Sequence, residues 1–253
     1  MSLLASIEDV ALANDYDLFV SSFYRDRQRE EKLFDAFYQK RLAGIIVAGS
    51  LIDDGYLSQK DRSIPAVLVN CYSYPFSVST NKLSGAKMAL EYLVGLGHRR
   101  IAYISQGKAL NTELFRLQGY RSVLSEHNIP IDEALIVSGD GGVIGGITAV
   151  SQLMALPEKP SAIFCSNDMT AIGVLNALQK QGYQVPRDCS VIGYDGLDIS
   201  AYYHPSLTTV RQPIYQLGYR STEMLLDLIR GDGEVGSEIL ESELIARDST
   251  THA

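Results

Sequence analysis

No stretch of 18 consecutive apolar residues occurs in the 253-residue sequence, so nothing in it has the length of a membrane-spanning helix. The N-terminus lacks the basic-then-apolar order of a secretion signal. A basic stripe is missing too. The densest basic run, Arg25-Asp26-Arg27-Gln28-Arg29, is followed at once by Glu30 and Glu31, and the formal charge is −8. Direct grip on nucleic acid by this segment is therefore not expected, because neutralised phosphates supply most of such affinity. Cysteine is scarce: Cys71, Cys165 and Cys189 are an odd three without metal-ligand spacing, and His98, His127, His204 and His252 add none. Cys165 and Cys189 sit in apolar, strand-like runs and are expected to be reduced, buried thiols. No phosphate-binding Walker loop, no G-x-S-x-G elbow and no paired carboxylates beyond the thin juxtaposition of Asp195 and Asp198 are found. The chain is expected to be cytoplasmic, without cofactor or metal, and not an enzyme.

What is present is alternation. Apolar residues make up 46% and charged residues 21% of a chain long enough for two α/β lobes. Short β-branched runs at 17–20, 44–48, 66–69, 100–104, 162–165 and 190–194 read as strands. Between them, apolar spacing near 3.6 predicts helices over 30–41, 84–96, 112–127, 144–156, 169–181 and 214–230. Gly97 and Gly182 are placed to end two of these helices in the left-handed region. Strand and helix in turn imply parallel sheets covered on both faces. No repeat and no low-complexity segment is visible.

Open parallel sheets bind ligands beyond the carboxyl ends of their strands. Polar residues gather there: Asn70 after 66–69; Ser105, Gln106 and Gly107 after 100–104; Ser166, Asn167 and Asp168 after 162–165; Asp195 after 190–194. Hydroxyl-rich ligands need such groups. Each has another explanation. Asn167 or Asp168 can cap the helix that begins at 169, and Asp195-Gly196 and Asn70 can serve as turn residues. His98 fits a turn from Gly97 into the next strand better than phosphate recognition.

Several runs together resemble the sensor domain of the LacI (lactose-repressor) family of transcription regulators. They are Val78-Ser79-Thr80-Asn81, Gly85-Ala86, Leu96-Gly97-His98-Arg99-Arg100-Ile101-Ala102, Arg116-Leu117-Gln118-Gly119-Tyr120 and Ser166-Asn167-Asp168-Met169-Thr170-Ala171-Ile172-Gly173. Most specific are Val191-Ile192-Gly193-Tyr194-Asp195 and the run His204 to Pro213, and the run Leu244 to Thr250 resembles the family's closing strand. The resemblance implies two doubly wound parallel-sheet lobes with a ligand cleft between them, similar to type I periplasmic binding proteins. It implies a first lobe of 1–80 plus 213–238 and a second of 81–212 plus 239–253.

By resemblance, Arg116 is a ligand-binding arginine offering a planar fork of donors; its alternative is a surface charge on an amphipathic helix. Asp195 would accept charge-assisted bonds, and Asn167 would donate and accept at once. Thr112, Asn70 and Gln212 complete the implied set. The partners implied are a sugar-like small-molecule effector, a second copy of the chain in a homodimer, and operator DNA reached only through an N-terminal helix-turn-helix head not contained in this sequence. A periplasmic-type sugar-binding protein of a transport system is the competing expectation.

Two departures from the family stand out. Relatives carry a ring-stacking aromatic soon after the glycine-aspartate pair matching Gly139-Asp140; here Gly141 and Gly142 follow, leaving Tyr72 or Tyr74 as substitutes. Relatives also begin with an apolar strand, roughly IGVIVPD, before the helix that Ala5-Ser6-Ile7-Glu8-Asp9-Val10-Ala11 resembles. That strand is not found, and the sequence is expected to be incomplete at its start.

Overall fold

A computed structural model describes residues 2–24, 26–40, 42–49, 64–71, 74–107, 111–232 and 235–253. Arg25 of the basic run, Arg41 of the helix expected over 30–41 and Tyr72 lie outside them. Two compact units are formed, one of Met1–Thr80 with Pro213–Leu240, the other of Asn81–Gln212 with Glu241–Ala253.

The first unit holds α1 (Leu3–Ala13), α2 (Arg27–Gln39), β1 (Ile45–Ala48), β2 (Ala66–Val69) and β3 (Ser77–Thr80) from its first segment. Its second segment adds a long helix over Ile214–Arg230 and a strand over Glu238–Leu240. The strands run parallel, with that last strand against β3 and β2 between β1 and β3. Period-two alternation serves both faces of β2. Ala66 and Leu68 pack with Phe34, Ile45 and Val47 on the side of α2, and Val67 and Val69 pack with Leu217, Met224 and Leu225 of the long helix. Each helix begins on a side-chain cap where one is supplied: the Ser2 hydroxyl accepts from Ala5 N at 3.2 Å, and Asp26 accepts from Gln28 N at 2.9 Å and Arg29 N at 3.2 Å.

The strand expected at 17–20 does not form. The segment is in no regular structure, with Phe19 75% and Val20 62% exposed. Its β-branched and aromatic composition needs a neighbouring ladder to become a strand, and among the described residues β1 pairs with β2 alone. Conversely β3 was not expected: Ser77-Val78-Ser79-Thr80 reads as polar, yet Ser77, Ser79 and Thr80 are all buried.

The second unit runs α3 (Lys82–Gly95), β4 (Ile101–Ser105), α4 (Asn111–Glu126), β5 (Ile136–Ser138), α5 (Val143–Leu153), β6 (Ala162–Cys165), α6 (Asp168–Lys180), β7 (Ser190–Asp195), α7 (Ile199–Tyr202) and β8 (Thr208–Arg211). With α8 and β9 naming the long helix and the strand of the first unit's second segment, β10 (Glu243–Ile245) completes it. The sheet order is β10-β8-β7-β6-β4-β5, parallel throughout except for β10. Ala102, Ile104, Ile163 and Cys165 face α5 and α6; Ile101, Tyr103, Ala162 and Phe164 face α3 and α4. Each such side chain, fully buried, contributes about 1.5–3 kcal/mol if it is a Leu, Ile or Phe. Cys165 and Cys189 are buried in this core, and burial pushes the Cys189 thiol up to about 12.

Helices α5 and α6 meet through glycine. A Cβ on Gly146 would fall on the carbonyl of Thr170, and one on Gly173 on the carbonyl of Val143. The two backbones touch, which only glycine permits. Gly97 and Gly182 follow α3 and α6 with φ of 95° and 83°. His98 is buried: its Nδ1 meets the Ser161 hydroxyl at 2.9 Å, and its Nε2 meets the Ser190 hydroxyl at 3.1 Å and Thr251 O at 3.0 Å. Its role is structural. No described helix is long and apolar enough to cross a membrane.

Candidate functional site

In the second unit the carboxyl ends of β4, β6, β7 and β8 lie along one edge, and each releases a polar residue there: Gln106, Ser166 with Asn167, Asp195 and Gln212. A parallel sheet makes this unavoidable, since its strands all end on the same side. Helix α4 starts beside that edge and brings Thr112 and Arg116 in its first two turns.

Arg116 is buried, at 3% exposure, which disposes of the surface-charge alternative. Its Nη1 donates to the carbonyl of Ser166, its Nη2 to Asp195 Oδ1 at 3.3 Å, and its Cζ lies 3.9 Å from the ring centre of Tyr194. Burial opposes the positive charge, but Asp195, Tyr194, Tyr103 and Glu113 outweigh it and hold the guanidinium above its ordinary value. Its Nε has no hydrogen-bond partner among the described residues, nor has the neighbouring Ser166 hydroxyl. Buried groups of this kind ordinarily have one.

Asp195 ends β7 with φ of 109°, followed by Gly196 at 74°, so the turn and the site are the same two residues. Gln212 Nε2 donates to Asp195 Oδ1 at 2.7 Å, and Gln212 N to Asp195 O at 3.2 Å. Burial pushes the Asp195 carboxyl up to about 6, with Asp168 adding to the rise and Arg116 and Gln212 opposing it.

Asn167 and Asp168 divide the duties expected of either. Asn167 caps α6, accepting from Thr170 N at 2.7 Å, while its Nδ2 donates to Gly141 O at 2.9 Å. Asp168 instead accepts from Leu197 N at 2.7 Å and from the Ser200 and Thr209 hydroxyls at 2.6 Å each. It pins the segment after Asp195 to β8. Thr112 is half-buried, and its hydroxyl makes no hydrogen bond among the described residues.

Asn70 is the one expected residue outside this group. It belongs to the first unit, in the left-handed region at φ 63°, and its Oδ1 accepts from Thr80 N at 3.2 Å and the Thr80 hydroxyl at 3.4 Å. Tyr74, a possible replacement for a stacking ring, is also in the first unit, edge-on to Phe76 with centroids 6.1 Å apart. Tyr72 is not among the described residues.

Three residues were missed from the sequence. Glu113 is buried in the first turn of α4; it takes the hydroxyl of Tyr103 and, at 3.1 Å, Gln106 N. Tyr103 and Tyr194 sit inside apolar strand runs, where nothing marks a hydroxyl or ring face as belonging to a site. The available signal for Glu113 is its spacing, one helical turn before Arg116.

After Gly139, Asp140 Oδ1 accepts from Gly142 N at 2.8 Å and Gly145 N at 3.0 Å, which occupies a first-turn amide of α5. Gly141 has φ of 78°, and a Cβ there would stand 3.4 Å from Gln106 Oε1 and 3.5 Å from Asn167 Nδ2. No cluster of His, Cys, Asp or Glu able to hold a metal ion occurs among the described residues.

The family model of a periplasmic binding protein-like domain matches residues 90–250. The chain is 32% identical to the HTH-type transcriptional repressor CytR of Escherichia coli K12 over 98% of its own length and 74% of that protein. The lac repressor dimer bound to operator and the anti-inducer ONPF superposes with a TM-score of 0.89 at 26% identity, covering 98% of this chain and 88% of that one. A periplasmic binding protein/LacI transcriptional regulator from Alkaliphilus metalliredigens QYMF, complexed with D-xylulofuranose, gives 0.86 at 27% identity, covering 98% and 92%.

Proposed function

The chain belongs to the LacI family of transcription regulators, and we propose that it senses a small sugar or sugar derivative through the strand-end edge of its second unit. The observation that carries this reading is Arg116: a buried guanidinium fixed by Ser166 and Asp195, with Nε and the adjacent Ser166 hydroxyl unpartnered among the described residues. A fork of donors beside a carboxylate acceptor matches neighbouring hydroxyls, each of which donates and accepts. Thr112 adds a hydroxyl, Gln212 orients Asp195, and Asn167 holds the loop at Gly141. The sugar bound to the Alkaliphilus neighbour supports the ligand class.

Ligand binding acts as a population shift between conformers that differ in operator affinity. The operator is contacted by a helix-turn-helix element outside these 253 residues, of the kind named in the E. coli relative, and the regulator works in the cytoplasm. The relatives are repressors rather than enzymes. Homodimerisation is supported by the dimeric lac repressor neighbour and by three exposed apolar residues on the second unit, Leu197, Ile199 and Tyr202 at 36%, 52% and 85%. Such residues grouped together mark an association surface.

Thermal-shift titration against pentoses, hexoses, disaccharides and sugar phosphates tests the reading, because a ligand that binds only the folded state raises its melting temperature. A sugar that stabilises the wild type and loses most of that effect with Asp195→Asn is expected. Unchanged affinity in Asp195→Asn and Arg116→Lys overturns it.

A further inference from the structure

Of the described carboxamides at this edge, Gln106, Asn167 and Gln212, Gln106 alone has a side chain that makes no hydrogen bond to a described residue. Asn167 uses both ends of its amide, on Thr170 N and Gly141 O, and Gln212 is bonded to Asp195. The Gln106 side chain is half-buried and makes no hydrogen bond among the described residues, although its main chain is fixed by the bond from its N–H to Glu113 Oε2. A fixed backbone and an unengaged amide, two donors and an acceptor, describe a group held ready for something outside the chain.

Its position adds to this. Gln106 Oε1 lies 3.4 Å from where a Cβ on Gly141 would be, and Asn167 Nδ2 lies 3.5 Å from the same point. The left-handed φ of 78° excludes an easy side chain at 141 in any case. Among the described residues, the three atoms nearest that point all belong to Gln106 and Asn167, and none of them to a ring.

We propose that Gln106 is a specificity-determining residue of the effector site, its carboxamide hydrogen-bonding a hydroxyl of a non-aromatic polyhydroxylated ligand and disfavouring a planar base. The proposal rests on the reading of this edge as the effector site. A flat aromatic ligand is held by apolar or π faces on both sides; an amide-lined wall offers edges that hydroxyls match and a ring face does not. A carboxamide that hydrogen-bonds the effector in this way also discriminates against analogues lacking the hydroxyl, because each then leaves the amide unpaired.

The test is calorimetric and thermal-shift titration of the full chain with D-xylose, D-ribose, D-glucose and cellobiose on one arm, cytidine and hypoxanthine on the other. At least one sugar is expected to raise the melting temperature and both base-containing compounds to leave it unmoved. Gln106→Ala, which removes no hydrogen bond among the described residues, is expected to keep the ligand-free melting temperature while weakening that sugar about tenfold, the scale of one neutral hydrogen bond. Gln106→Glu is expected to change the order of preference among the sugars.

Binding of a base as tight as that of any sugar overturns the proposal, as does failure of all four sugars to bind. So does a Gln106→Ala variant within twofold of wild type while Asp195→Asn loses affinity, a result that leaves the site reading intact. If Asp195→Asn binds the sugar as well as wild type does, the site reading itself fails.

Discussion

Glu113 and Arg116 stand one helical turn apart on α4, both buried, and tie that helix to different strands. Glu113 takes the Tyr103 hydroxyl and the Gln106 N–H at the end of β4; Arg116 donates to Ser166 beyond β6 and to Asp195 at the end of β7. One stretch of helix therefore sets the spacing of three strand ends. Burial pushes the Glu113 carboxyl up, with Tyr103, Gln106 N and Arg116 opposing the rise.

Glu113→Ala leaves the Tyr103 hydroxyl buried without its acceptor. A loss of about 1–3 kcal/mol is expected, the cost of an unsatisfied buried group. Glu113→Gln, which can still accept from Tyr103, should lose less. Urea unfolding measures both; equal stability of Glu113→Ala and wild type contradicts the assignment.

Ligand affinity and stability respond oppositely to acid at Asp195. The raised carboxyl means the folded chain holds that proton more tightly than the unfolded one. Its contribution to stability is complete below the ordinary value of 3.8 and is lost as pH rises through about 6. The ionised form is the better acceptor for ligand hydroxyls. Sugar affinity should therefore fall between pH 7.5 and 5, a dependence removed in Asp195→Asn. Arg116, Gln212 and Asp168 are the polar groups set around it. Titrations at the two pH values decide the matter.

His98 has the opposite sign. Burial lowers its pKa from 6.5, partly countered by Thr251 O. Its neutral form contributes stability that is present above 6.5 and lost as pH falls through the lowered value. His98→Ala should cost about 1–3 kcal/mol, since the Ser161 and Ser190 hydroxyls lose a partner. Hydrogen exchange should quicken first around Thr251.

Tyr202→Asp places a charge in the exposed apolar group at 197–202. Light scattering is expected to report a dimer for wild type and a monomer for the variant. A monomeric wild type at every concentration contradicts the association proposed.

Gly173→Ala sets a methyl against the Val143 carbonyl. Overpacking of this kind typically costs 1–3 kcal/mol, roughly, and denaturant unfolding of the variant is the check.

The sheets and their helices were legible because their patterns are local. The runs ending at Ile104, Cys165 and Tyr194 became β4, β6 and β7, and apolar spacing placed α3 to α6 and α8 within a few residues of where they form. Two failures share a cause. Residues 17–20 carry strand-like side chains but no adjoining ladder, whereas Ser77–Thr80 carries hydroxyls and is buried between β2 and β9. Pairing, which is non-local, decided both. At the site, polar strand ends were visible in sequence as a set. The division of labour between Asn167 and Asp168 was not, because both sit at the start of one helix and only the three-dimensional neighbours Gly141, Leu197 and Thr209 separate them.

The glycine contact between α5 and α6 carries an evolutionary consequence. Backbone against backbone at Gly146 and Gly173 leaves no cushion of side chains to repack, so neither helix can drift without the other. Gly141 precedes one helix and Asn167 the other, and the hydrogen bond between them travels with that locked pair. A lineage changing its effector is thereby steered away from moving these helices. The accessible route is to exchange single side chains along the edge, on a floor that stays where it is.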